Sequence, residues 1–422
     1  MFENSISLVF EGREQELKII VQKFGGTSVA TAEARHKAME KIIRAKNEGF
    51  APVVVVSAMG RKGQPYATDT LIDLVKSIDK EIEPRELDLL ISCGEIISSV
   101  VLAHSLKAKG YPAVALTGAQ AGILTDDNHG NAQIVNIDPT PIKKYVEEGK
   151  IVVVAGFQGC SSNGDVTTLG RGGSDTTATA LGAAIKAEFV EIYTDVDGVM
   201  TVDPRLEPEA NILKDITYKE ICEMAYQGAK VIHPRAVEAA MSGHVPIKIK
   251  NTFSDAEGTL ITDRAAARVI TGLAHIADLS QIKVVLNEEA IQMAKVRVFK
   301  LMAEAKISLD LINVGSDSLH FVVSSEQAQK ALNILQEAGF DARVRAGCAK
   351  VSIIGAGMEG VPGVMAKVME SLDKAGINVL QTSDSDITIS CLVKEEDMAD
   401  AIKVLHNAFG LNQQSDREEN SE

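Results

Sequence analysis

The sequence predicts an α/β fold in which a mostly parallel sheet is covered by helices on both faces, followed by two copies of a smaller unit. Three observations support this prediction. Short apolar runs alternate with helix-like stretches between Lys18 and about Arg264, which is typical of a sheet built from strand–helix–strand units. Several runs are continuously apolar, as expected for parallel strands that are buried on both faces. Beyond about Val269, similar residues recur at an offset of 70 positions.

The predicted strands and helices of the first part follow one another in regular order. Ligands of such folds bind at the carboxyl ends of the strands, so the loops after the strands are the first candidates for a functional site. The predicted strands span residues 19–24, 53–57, 113–116, 151–157, 190–193 and 247–250, and the predicted helices span 31–48, 85–107, 139–148 and 218–229.

The repeat relates two units of about 65 residues, as in the match between Val298 and Val368. Each unit reads strand, helix, strand, strand, helix. The first unit continues into a plausible last strand at 341–345, whereas the second ends at 409–411 and passes into a polar tail. The segment 269–275, upstream of both, could supply the missing strand, and the two units would then be interleaved.

These patterns predict a chain of five segments. Residues 1–17 form an extension before the first strand, and residues 412–422 form a tail that should be disordered. Between them we expect an α/β domain at 18–265 and repeat units at 266–345 and 346–411, with 269–277 as a candidate strand of the second unit.

The composition is that of an ordinary globular protein and restricts its partners. The 422 residues suffice for two or three domains, and 45% of them are hydrophobic. The net charge of −15 disfavours nucleic acid and anionic membranes as partners. Local cations must therefore attract any anionic substrate, and the candidates are Lys23, Arg171, Arg205 and Lys230.

The cysteines and the termini indicate a cytoplasmic protein. The five cysteines are scattered and include no Cys-x-x-Cys pair, which is typical of reduced thiols. No apolar run reaches the roughly 18 residues that span a bilayer, and the N-terminus lacks the basic and apolar regions of a signal peptide. A protein that contacts neither membrane nor nucleic acid is therefore expected.

A glycine-rich loop at residues 167–177 is the strongest candidate for ligand binding. It reads Thr-Thr-Leu-Gly-Arg-Gly-Gly-Ser-Asp-Thr-Thr, and we expect it to connect the strand at 151–157 to a helix. Backbone N–H groups at a helix N-terminus bind anions, and Arg171 adds a planar fork for a carboxylate or a phosphate. Ser174 or Asp175 could cap the helix. The alternative is a capped turn without a ligand.

A second glycine turn follows the first predicted strand. Residues 19–28 read Ile-Ile-Val-Gln-Lys-Phe-Gly-Gly-Thr-Ser, with Lys23 before the turn and Gly25 and Gly26 in it. The sequence contains neither the P-loop pattern nor the protein-kinase motifs. Backbone donors and a lysine are nevertheless the groups that phosphoryl transfer requires. A purely structural turn is the alternative.

Other motifs do not support a functional prediction. Gly355-Ala-Gly-Met-Glu-Gly360 matches a dinucleotide fingerprint, but its repeat unit is too small for a doubly wound domain. Asp195-Val-Asp-Gly198 resembles the start of a calcium loop, but the later ligands do not follow in register. The eight histidines show no metal-binding spacing, and His233 is expected to be structural, at the start of a helix.

Four motifs occur in a specific order along the chain. They read Val21-Gln-Lys-Phe-Gly-Gly-Thr-Ser28, Ser92-Cys-Gly-Glu95, Gly170-Arg-Gly-Gly-Ser-Asp175 and Thr194-Asp-Val-Asp-Gly-Val-Met-Thr-Val-Asp-Pro-Arg205. Together they resemble the aspartokinases, a branch of the amino acid kinase family, and the repeats resemble paired ACT regulatory domains. The resemblance covers roughly residues 18–411 and is to the short, monofunctional form. It implies a three-layer αβα kinase domain with a mostly parallel sheet, followed by two ferredoxin-like βαββαβ domains.

The resemblance implies that ATP and L-aspartate react to give 4-phospho-L-aspartate and ADP. The β-carboxylate of aspartate is ionised at neutral pH, so its attack needs no general base. The enzyme has instead to bring two anions into line and to screen their charge. The resemblance places Lys23 at the phosphates as the transition-state cation, with backbone donors from Gly25 and Gly26.

The resemblance also assigns the other site residues. Glu95, which alone would pass for a structural carboxylate, would receive the substrate ammonium, and Arg171 would bind the α-carboxylate. Thr68, which alone would be a helix N-cap, matches a substrate-contacting threonine. Magnesium would arrive with ATP, held by phosphates and water, so no protein metal site is predicted. The α-carboxylate site would be lined by Gly172, Gly173 and Ser174, and the nucleotide site by Lys23, Gly25, Gly26, Ser174, Thr194, Asp195 (also counted as catalytic), Met200, Arg205, Lys230 and Val231.

The resemblance of the repeats to ACT domains implies feedback control of the pathway from aspartate to lysine through diaminopimelate, to threonine and to methionine. The short connection 313–319 leaves the effector open: lysine, threonine, both together, or diaminopimelate. The expected effector-binding elements are 287–293, 358–363 and the strand ends near Asn313 and Ser383. ACT domains typically pair across subunits, so at least a homodimer is expected, and some relatives also make a small subunit from an internal start.

Two alternatives stay open. Another kinase of this family, acting on glutamate, acetylglutamate or a nucleoside monophosphate, would share the kinase motifs, although such relatives normally lack the paired repeats. A non-catalytic amino-acid sensor with an inactive kinase domain belongs to a different class. The joint presence of Lys23, Glu95, Arg171 and Asp195 argues against loss of activity.

Overall fold

The structure, a computed structural model, describes residues 17–266, 268–286 and 291–413. The chain divides into two compact units between Glu191 and Ile192. Nearly all of the expected N-terminal extension, most of the polar tail and the first part of the predicted effector element at 287–293 lie outside the described residues.

The first unit alternates strands and helices, as the sequence predicts. Its elements in chain order are β1 (Ile19–Phe24), α1 (Gly26–Val29), α2 (Ala32–Asn47), β2 (Ala51–Val56), α3 (Thr68–Lys76), α4 (Pro84–Ala108), β3 (Ala113–Leu116), β4 (Ile123–Thr125), β5 (Ile134–Ile137), α5 (Thr140–Glu147), β6 (Ile151–Ala155), β7 (Gln158–Ser161), β8 (Val166–Thr168) and α6 (Gly173–Ile185). The boundary between the units falls within β9 (Val190–Thr194).

Four parallel strands form the main sheet of this unit, in the order β3-β6-β2-β1. Every residue of β2 and β6 is buried. Valine-rich strands tolerate such burial because helices cover a parallel sheet on both faces, and α2, α4, α5 and α6 pack on these strands. The predicted α/β architecture with a mostly parallel sheet is confirmed.

A second, smaller sheet in this unit has the strand order β5-β4-β7-β8 and is not predicted by the sequence. Its strands have three or four residues and carry many polar side chains, so no apolar pattern marks them. The β7–β8 hairpin lies between β6 and α6. The glycine-rich loop therefore follows a short hairpin strand rather than the buried strand predicted at 151–157, which corrects that expectation.

The helix that follows the glycine-rich loop also begins differently from the prediction. The N-cap of α6 is Gly172, in the left-handed region at a φ of 67°, and no side chain caps the helix. Ser174 and Asp175 lie inside the first turn, so the expectation that one of them is the cap is wrong. Glycine takes this φ without steric strain, which explains why the helix can begin two residues earlier. Similarly, Thr68 is the first residue of α3 and not its N-cap.

One buried carboxylate fixes the residues just before that loop. Asp88 of α4 is 0% exposed. Its oxygens accept hydrogen bonds from the Gly130 N–H at 3.0 and 3.1 Å, the Thr168 N–H at 3.0 Å and the Thr168 hydroxyl at 2.5 Å. They also lie 3.0 Å from His129 Nδ1. Asp88 thus joins α4 to the β4–β5 connection and to β8, and it holds the strand end from which the loop starts.

The second unit continues with shorter elements and then the repeats. In chain order they are β10 (Asp215–Thr217), α7 (Tyr218–Tyr226), α8 (Pro234–Gly243), β11 (Ile247–Asn251), β12 (Thr259–Thr262), β13 (Gly272–Val285), α9 (Ile291–Glu304), β14 (Asp310–Val314), β15 (Ser318–Ser324), α10 (Ser325–Glu337), β16 (Asp341–Ile354), α11 (Val364–Lys374), β17 (Gln381–Asp384), β18 (Thr388–Lys394) and α12 (Met398–Ala408).

The part of this unit before the repeats has a mixed sheet in the order β9-β11-β12-β10, in which β11 runs antiparallel and β10 parallel to β12. The short strands β10 and β12 are not predicted by the sequence. His233 is the N-cap of α8, and its ring accepts a hydrogen bond from the Arg235 N–H, so its predicted structural role is confirmed.

The two repeats share one six-stranded sheet, in the order β14-β15-β13-β16-β18-β17. The central strands β13 and β16 have 14 residues each and run through both repeats. Residues 272–276 pair with 350–354, whereas residues 281–285 pair with 341–345, both antiparallel. The segment upstream of the first repeat thus lies beside the first strand of the second repeat, and both halves have the predicted ferredoxin-like order.

One helix of the first unit, α4, is long and apolar enough to cross a membrane by length and composition alone. Half of its most apolar stretch is buried, and the core helix of a globular protein meets the same criterion, so this is weak evidence for a membrane span.

The two faces of α9 provide a test of the first repeat's core. Val298 is 0% exposed and packs in an apolar cluster with Phe321 and Leu335, whereas Val296 is 52% exposed. We expect Val298→Ala to lower the free energy of unfolding by about 2 kcal/mol, because it leaves a cavity. Val296→Ala should change it by less than about 0.5 kcal/mol. Urea denaturation followed by circular dichroism measures both, and equal effects would contradict the described packing.

A carboxylate-to-amide change at Asp88 tests its role as an anchor. In Asp88→Asn the amide cannot accept all the backbone donors, so we expect a loss of about 2–3 kcal/mol of stability. Amide hydrogen exchange at Gly130 and Thr168 should accelerate in the variant. The matched control is Asp127→Asn, at an exposed position of the same β4–β5 connection. If exchange at Gly130 and Thr168 is unchanged in Asp88→Asn, the carboxylate does not hold this loop.

Candidate active site

A cavity of about 520 Å³ opens in the first unit at the carboxyl ends of the parallel strands. It brings together loops that are far apart in sequence: the turn after β1, the connection after β2, one face of α4 and the glycine-rich loop. Its lining residues are Lys23, Gly26, Ser57, Ala58, Gly60, Thr68, Asp69, Ile72, Ile91, Glu95, Phe157, Gly170, Arg171, Gly172, Gly173, Ser174 and Asp175. Eight residues predicted from the sequence are in this set: Lys23, Gly26, Thr68, Glu95, Arg171, Gly172, Gly173 and Ser174.

An ion pair joins the two glycine loops. Lys23 Nζ, near the end of β1, lies 2.6 Å from Asp175 Oδ1 in the first turn of α6. The two side chains are only 12% and 14% exposed, so the pair is poorly screened by water. The sequence suggests Asp175 only as a helix cap, and its pairing with Lys23 is not predicted.

Gly26 permits a close approach between the turn after β1 and the connection after β2. A Cβ at this position would lie 2.8 Å from the Ala58 carbonyl oxygen and 2.9 Å from that of Gly60. The sequence predicts this glycine for contact with a ligand, and the structure adds a packing reason. Gly25, one residue earlier, is the N-cap of α1.

Glu95 of α4 is a buried carboxyl group with one unused oxygen. It is 3% exposed, and its Oε1 accepts a hydrogen bond of 3.0 Å from the Ala58 N–H. Within the described part of the chain, its Oε2 has no hydrogen-bond partner. Burial raises the pKa of Glu95 to about 8. A cationic group in the cavity would satisfy the free oxygen and favour the ionised form.

Gly94, the residue before Glu95, permits close packing of the protein against α4. A Cβ at Gly94 would lie 2.8 Å from Ala58 Cβ and 2.9 Å from the Tyr66 carbonyl oxygen. The connection after β2 therefore packs directly on α4.

The glycine-rich loop presents a cation and a helix N-terminus to the cavity. Among the described residues, no hydrogen bond or ion pair engages the exposed Arg171 guanidinium. Gly170 and Gly172 have φ angles of 74° and 67°, which place the backbone on either side of Arg171 in the left-handed region. No side chain of the described residues caps α6, so its first N–H groups can serve an anion.

The residues predicted for the nucleotide in the second unit lie on three segments. Thr194 ends β9, and its hydroxyl donates a hydrogen bond of 3.3 Å to Asp195 Oδ1. Met200 forms an isolated antiparallel bridge with Ile212. Arg205 is exposed and pairs with Asp203 at 2.6 Å. Lys230 and Val231 lie between α7 and α8.

Two carboxylates on these segments are missing from the sequence predictions. Asp197 accepts hydrogen bonds from the Ser254 hydroxyl at 2.6 Å and the Asn251 amide at 2.8 Å, and both lower its pKa. The Arg205 guanidinium lowers the pKa of Asp203. Both carboxylates therefore stay ionised at neutral pH. The sequence shows them only as part of the motif 194–205, with no sign of their partners.

Over residues 17–266, 268–286 and 291–413, no group of three or more His, Cys, Asp or Glu side chains is arranged to hold a metal ion.

Comparison with known proteins identifies the families to which the two parts of the chain are similar. The amino acid kinase family matches residues 18–251, and the ACT domain matches residues 343–407. Aspartokinase 1 of Bacillus subtilis is 49% identical over 403 residues, which are 94% of this chain and 100% of that protein.

Solved structures show the same fold. Escherichia coli aspartokinase III in complex with aspartate and ADP, in the R-state, superposes with a TM-score of 0.76 at 26% identity, covering 93% of this chain and 100% of that one. The same enzyme in complex with lysine and aspartate, in the T-state, gives a TM-score of 0.73 at 25% identity, covering 93% and 99%. The chain therefore belongs to the aspartokinases, within the amino acid kinase family.

Proposed function

We propose that this chain transfers the γ-phosphate of ATP to the β-carboxylate of L-aspartate, giving 4-phospho-L-aspartate and ADP. One observation carries this proposal. A single cavity contains a guanidinium and a buried carboxylate oxygen that have no partner among the described residues, and a lysine at a glycine turn. These groups complement the α-carboxylate and ammonium of an amino acid and the phosphates of a nucleotide.

The amino-acid half of the substrate is bound by charge. Arg171 forms a bidentate pair with the α-carboxylate, supported by the backbone of Gly172 and Gly173 and by Ser174. Glu95 receives the ammonium on its free Oε2, which removes the unpaired buried oxygen. Thr68, at the start of α3, contacts the substrate from the connection after β2.

Phosphoryl transfer then depends on position and charge screening rather than on a base. The attacking β-carboxylate oxygen carries no proton to be removed. Lys23 stabilises the negative charge that develops on the transferred phosphoryl group, and Asp175 holds the ammonium of Lys23 in place. Gly25 and Gly26 add backbone donors to the phosphates.

The other residues that we assign to the nucleotide belong to the second unit. Magnesium enters as part of the substrate, bound to the ATP phosphates and water. Asp195 lies on an exposed turn, where a carboxylate can reach such an ion or its water shell. The residues assigned to ATP are Lys23, Gly25, Gly26, Ser174, Thr194, Asp195, Met200, Arg205, Lys230 and Val231.

Regulation is assigned to the ACT repeats, with domain boundaries at 18–265, 266–345 and 346–411. A cavity of about 450 Å³ between the repeats is lined by Asn313, Gln281, Gln381 and Thr382, among others, and supports an effector site near Asn313 and Ser383. The effector is lysine, threonine, both together or diaminopimelate.

A cytoplasmic homodimer or larger homo-oligomer, with or without a small subunit, catalyses the first step of the pathway to lysine, threonine and methionine.

A substrate screen with trapping of the product tests the proposal. The full chain is incubated with Mg·ATP, hydroxylamine and one of aspartate, glutamate or acetylglutamate, and acyl phosphates are detected as hydroxamates. Aspartate should give the highest rate by a wide margin. A preference for glutamate or acetylglutamate would support another amino acid kinase. No product with any substrate, together with binding of lysine or threonine, would support a non-catalytic sensor.

The lysine at the glycine turn should act mainly in the transition state. We expect Lys23→Met to lower kcat by about 100-fold or more, with a smaller change in the KM for aspartate. The matched control is Lys150→Met, which removes another lysine that is paired at 2.6 Å, with Glu148. Steady-state kinetics measures both variants. An unchanged kcat in Lys23→Met would show that this lysine has no role in the chemistry.

The raised pKa of Glu95 predicts a pH dependence for aspartate. In the free enzyme Glu95 is largely protonated below pH of about 8, whereas pairing with the ammonium requires the carboxylate. Binding must therefore release a proton, and kcat/KM for aspartate should fall as the pH is lowered from 8 to 6, by up to about tenfold per pH unit. Glu95→Gln should bind aspartate weakly at every pH and lose this slope. A slope that persists in Glu95→Gln would belong to another group.

A further inference from the structure

Side chains of the segment 200–211, between β9 and β10, are part of the core of the second ACT unit, which comprises residues 346–411 together with the strand 272–276. Val202 is 2% exposed and belongs to the same apolar cluster as Ile353 and Leu405, and Leu206 and Ala210 pack against that cluster. The corresponding apolar cluster of the first ACT unit begins at Ile282, and no described residue from the segment 200–211 belongs to it. The core of the second ACT unit therefore includes part of the segment that carries Met200 and Arg205, which we assign to the nucleotide. The core of the first ACT unit, as far as the structure describes it, does not.

Thr201 is the point at which this segment is held most closely. Its carbonyl oxygen accepts a hydrogen bond of 2.7 Å from the Leu273 N–H of β13. Its hydroxyl accepts one of 3.0 Å from the Asn211 N–H and lies 3.0 Å from His406 Nε2. The Asn211 amide donates in turn to the Leu411 carbonyl oxygen at 3.0 Å. A Cβ on Gly272 would lie 2.7 Å from the Thr201 carbonyl oxygen, so the backbones are in close contact.

The packing of the second ACT unit does not by itself explain why a histidine is buried at position 406. It lies on α12, is 0% exposed, and its Nδ1 has no hydrogen-bond partner among the described residues. Burial lowers the pKa of its imidazole, which keeps the ring neutral. Burying a polar side chain that makes a single hydrogen bond costs more free energy than burying an apolar side chain of similar size. We therefore expect the contact of His406 with Thr201 to have a specific role. The equivalent position 70 residues earlier is Gln336, which is exposed and contacts Ala342 of its own unit.

We propose that His406 and Thr201 are positioning residues for the nucleotide, through which the second ACT unit holds the segment that carries Met200 and Arg205. Thr201 directly follows Met200 in the chain. Arg205 lies a little further along the same segment, where its guanidinium pairs with Asp203. A rearrangement of α12 is thereby transmitted to ATP binding and not to aspartate binding. This inference rests on the proposed nucleotide role of Met200 and Arg205.

Kinetics of matched variants tests the proposal. Thr201→Val and His406→Leu each remove one side of the contact at nearly constant volume. We expect each to raise the KM for ATP by about tenfold, the factor that corresponds to one buried hydrogen bond, with kcat and the KM for aspartate near wild type. The double variant should be no worse than either single variant, because the two act through one contact. His406→Gln, which restores a donor, should recover part of the ATP affinity.

The matched control is Gln336→Leu, the same helix position in the first ACT unit, and its KM for ATP should equal that of wild type. Thermal unfolding of every variant separates positioning from stability. A lower Tm with an unchanged KM for ATP, or additive effects in the double variant, would overturn the proposal. Calorimetric binding of ADP to the same variants gives a readout that does not need turnover. If the wild-type chain forms no acyl phosphate, the proposed function fails, while ADP affinities still decide the positioning role.

Discussion

The ion pair between Lys23 and Asp175 is the constraint on which the candidate active site depends. It joins the end of β1 to the first turn of α6, and so brings the turn after β1 and the glycine-rich loop to the same cavity. Two charged side chains that are mostly out of water are stable only together, because either one alone would be buried without compensation. The pair therefore fixes the distance between the two loops more firmly than apolar packing alone.

Without a ligand, the cavity contains one cation that no described residue pairs with. Lys23 is neutralised by Asp175, and Glu95 avoids the cost of a buried charge through its raised pKa, which leaves Arg171 as the cation without a partner among the described residues. L-aspartate brings two carboxylates and one ammonium. In the proposed complex the α-carboxylate meets Arg171, and the ammonium converts Glu95 to its ionised form. These local contacts, and not the overall charge of −15, would then attract the anionic substrate.

Much of this arrangement can be predicted from the sequence, and the rest has a physical reason for being hidden. Continuous valine runs predict β2 and β6 because burial on both faces leaves no room for polar residues. Glycines and cations at strand ends predict the loops at Lys23 and Arg171. The sheet of β4, β5, β7 and β8 is missed because strands of three or four residues carry no readable period. The partners of Lys23 and Asp88 are missed because a contact between distant residues leaves no mark in a single sequence.

The continuity of β13 and β16 through both ACT units limits how this region can have diverged. The repeats look like independent modules that arose by duplication, but the second takes its last strand, residues 272–276, from the stretch of chain that belongs to the first. A recombination event between them would leave residues 350–354 with an open edge and residues 272–276 without a partner. Exposed strand edges promote aggregation, so such a chimaera would be lost to selection. The pair can therefore be inherited, exchanged or fused to other proteins only as one block.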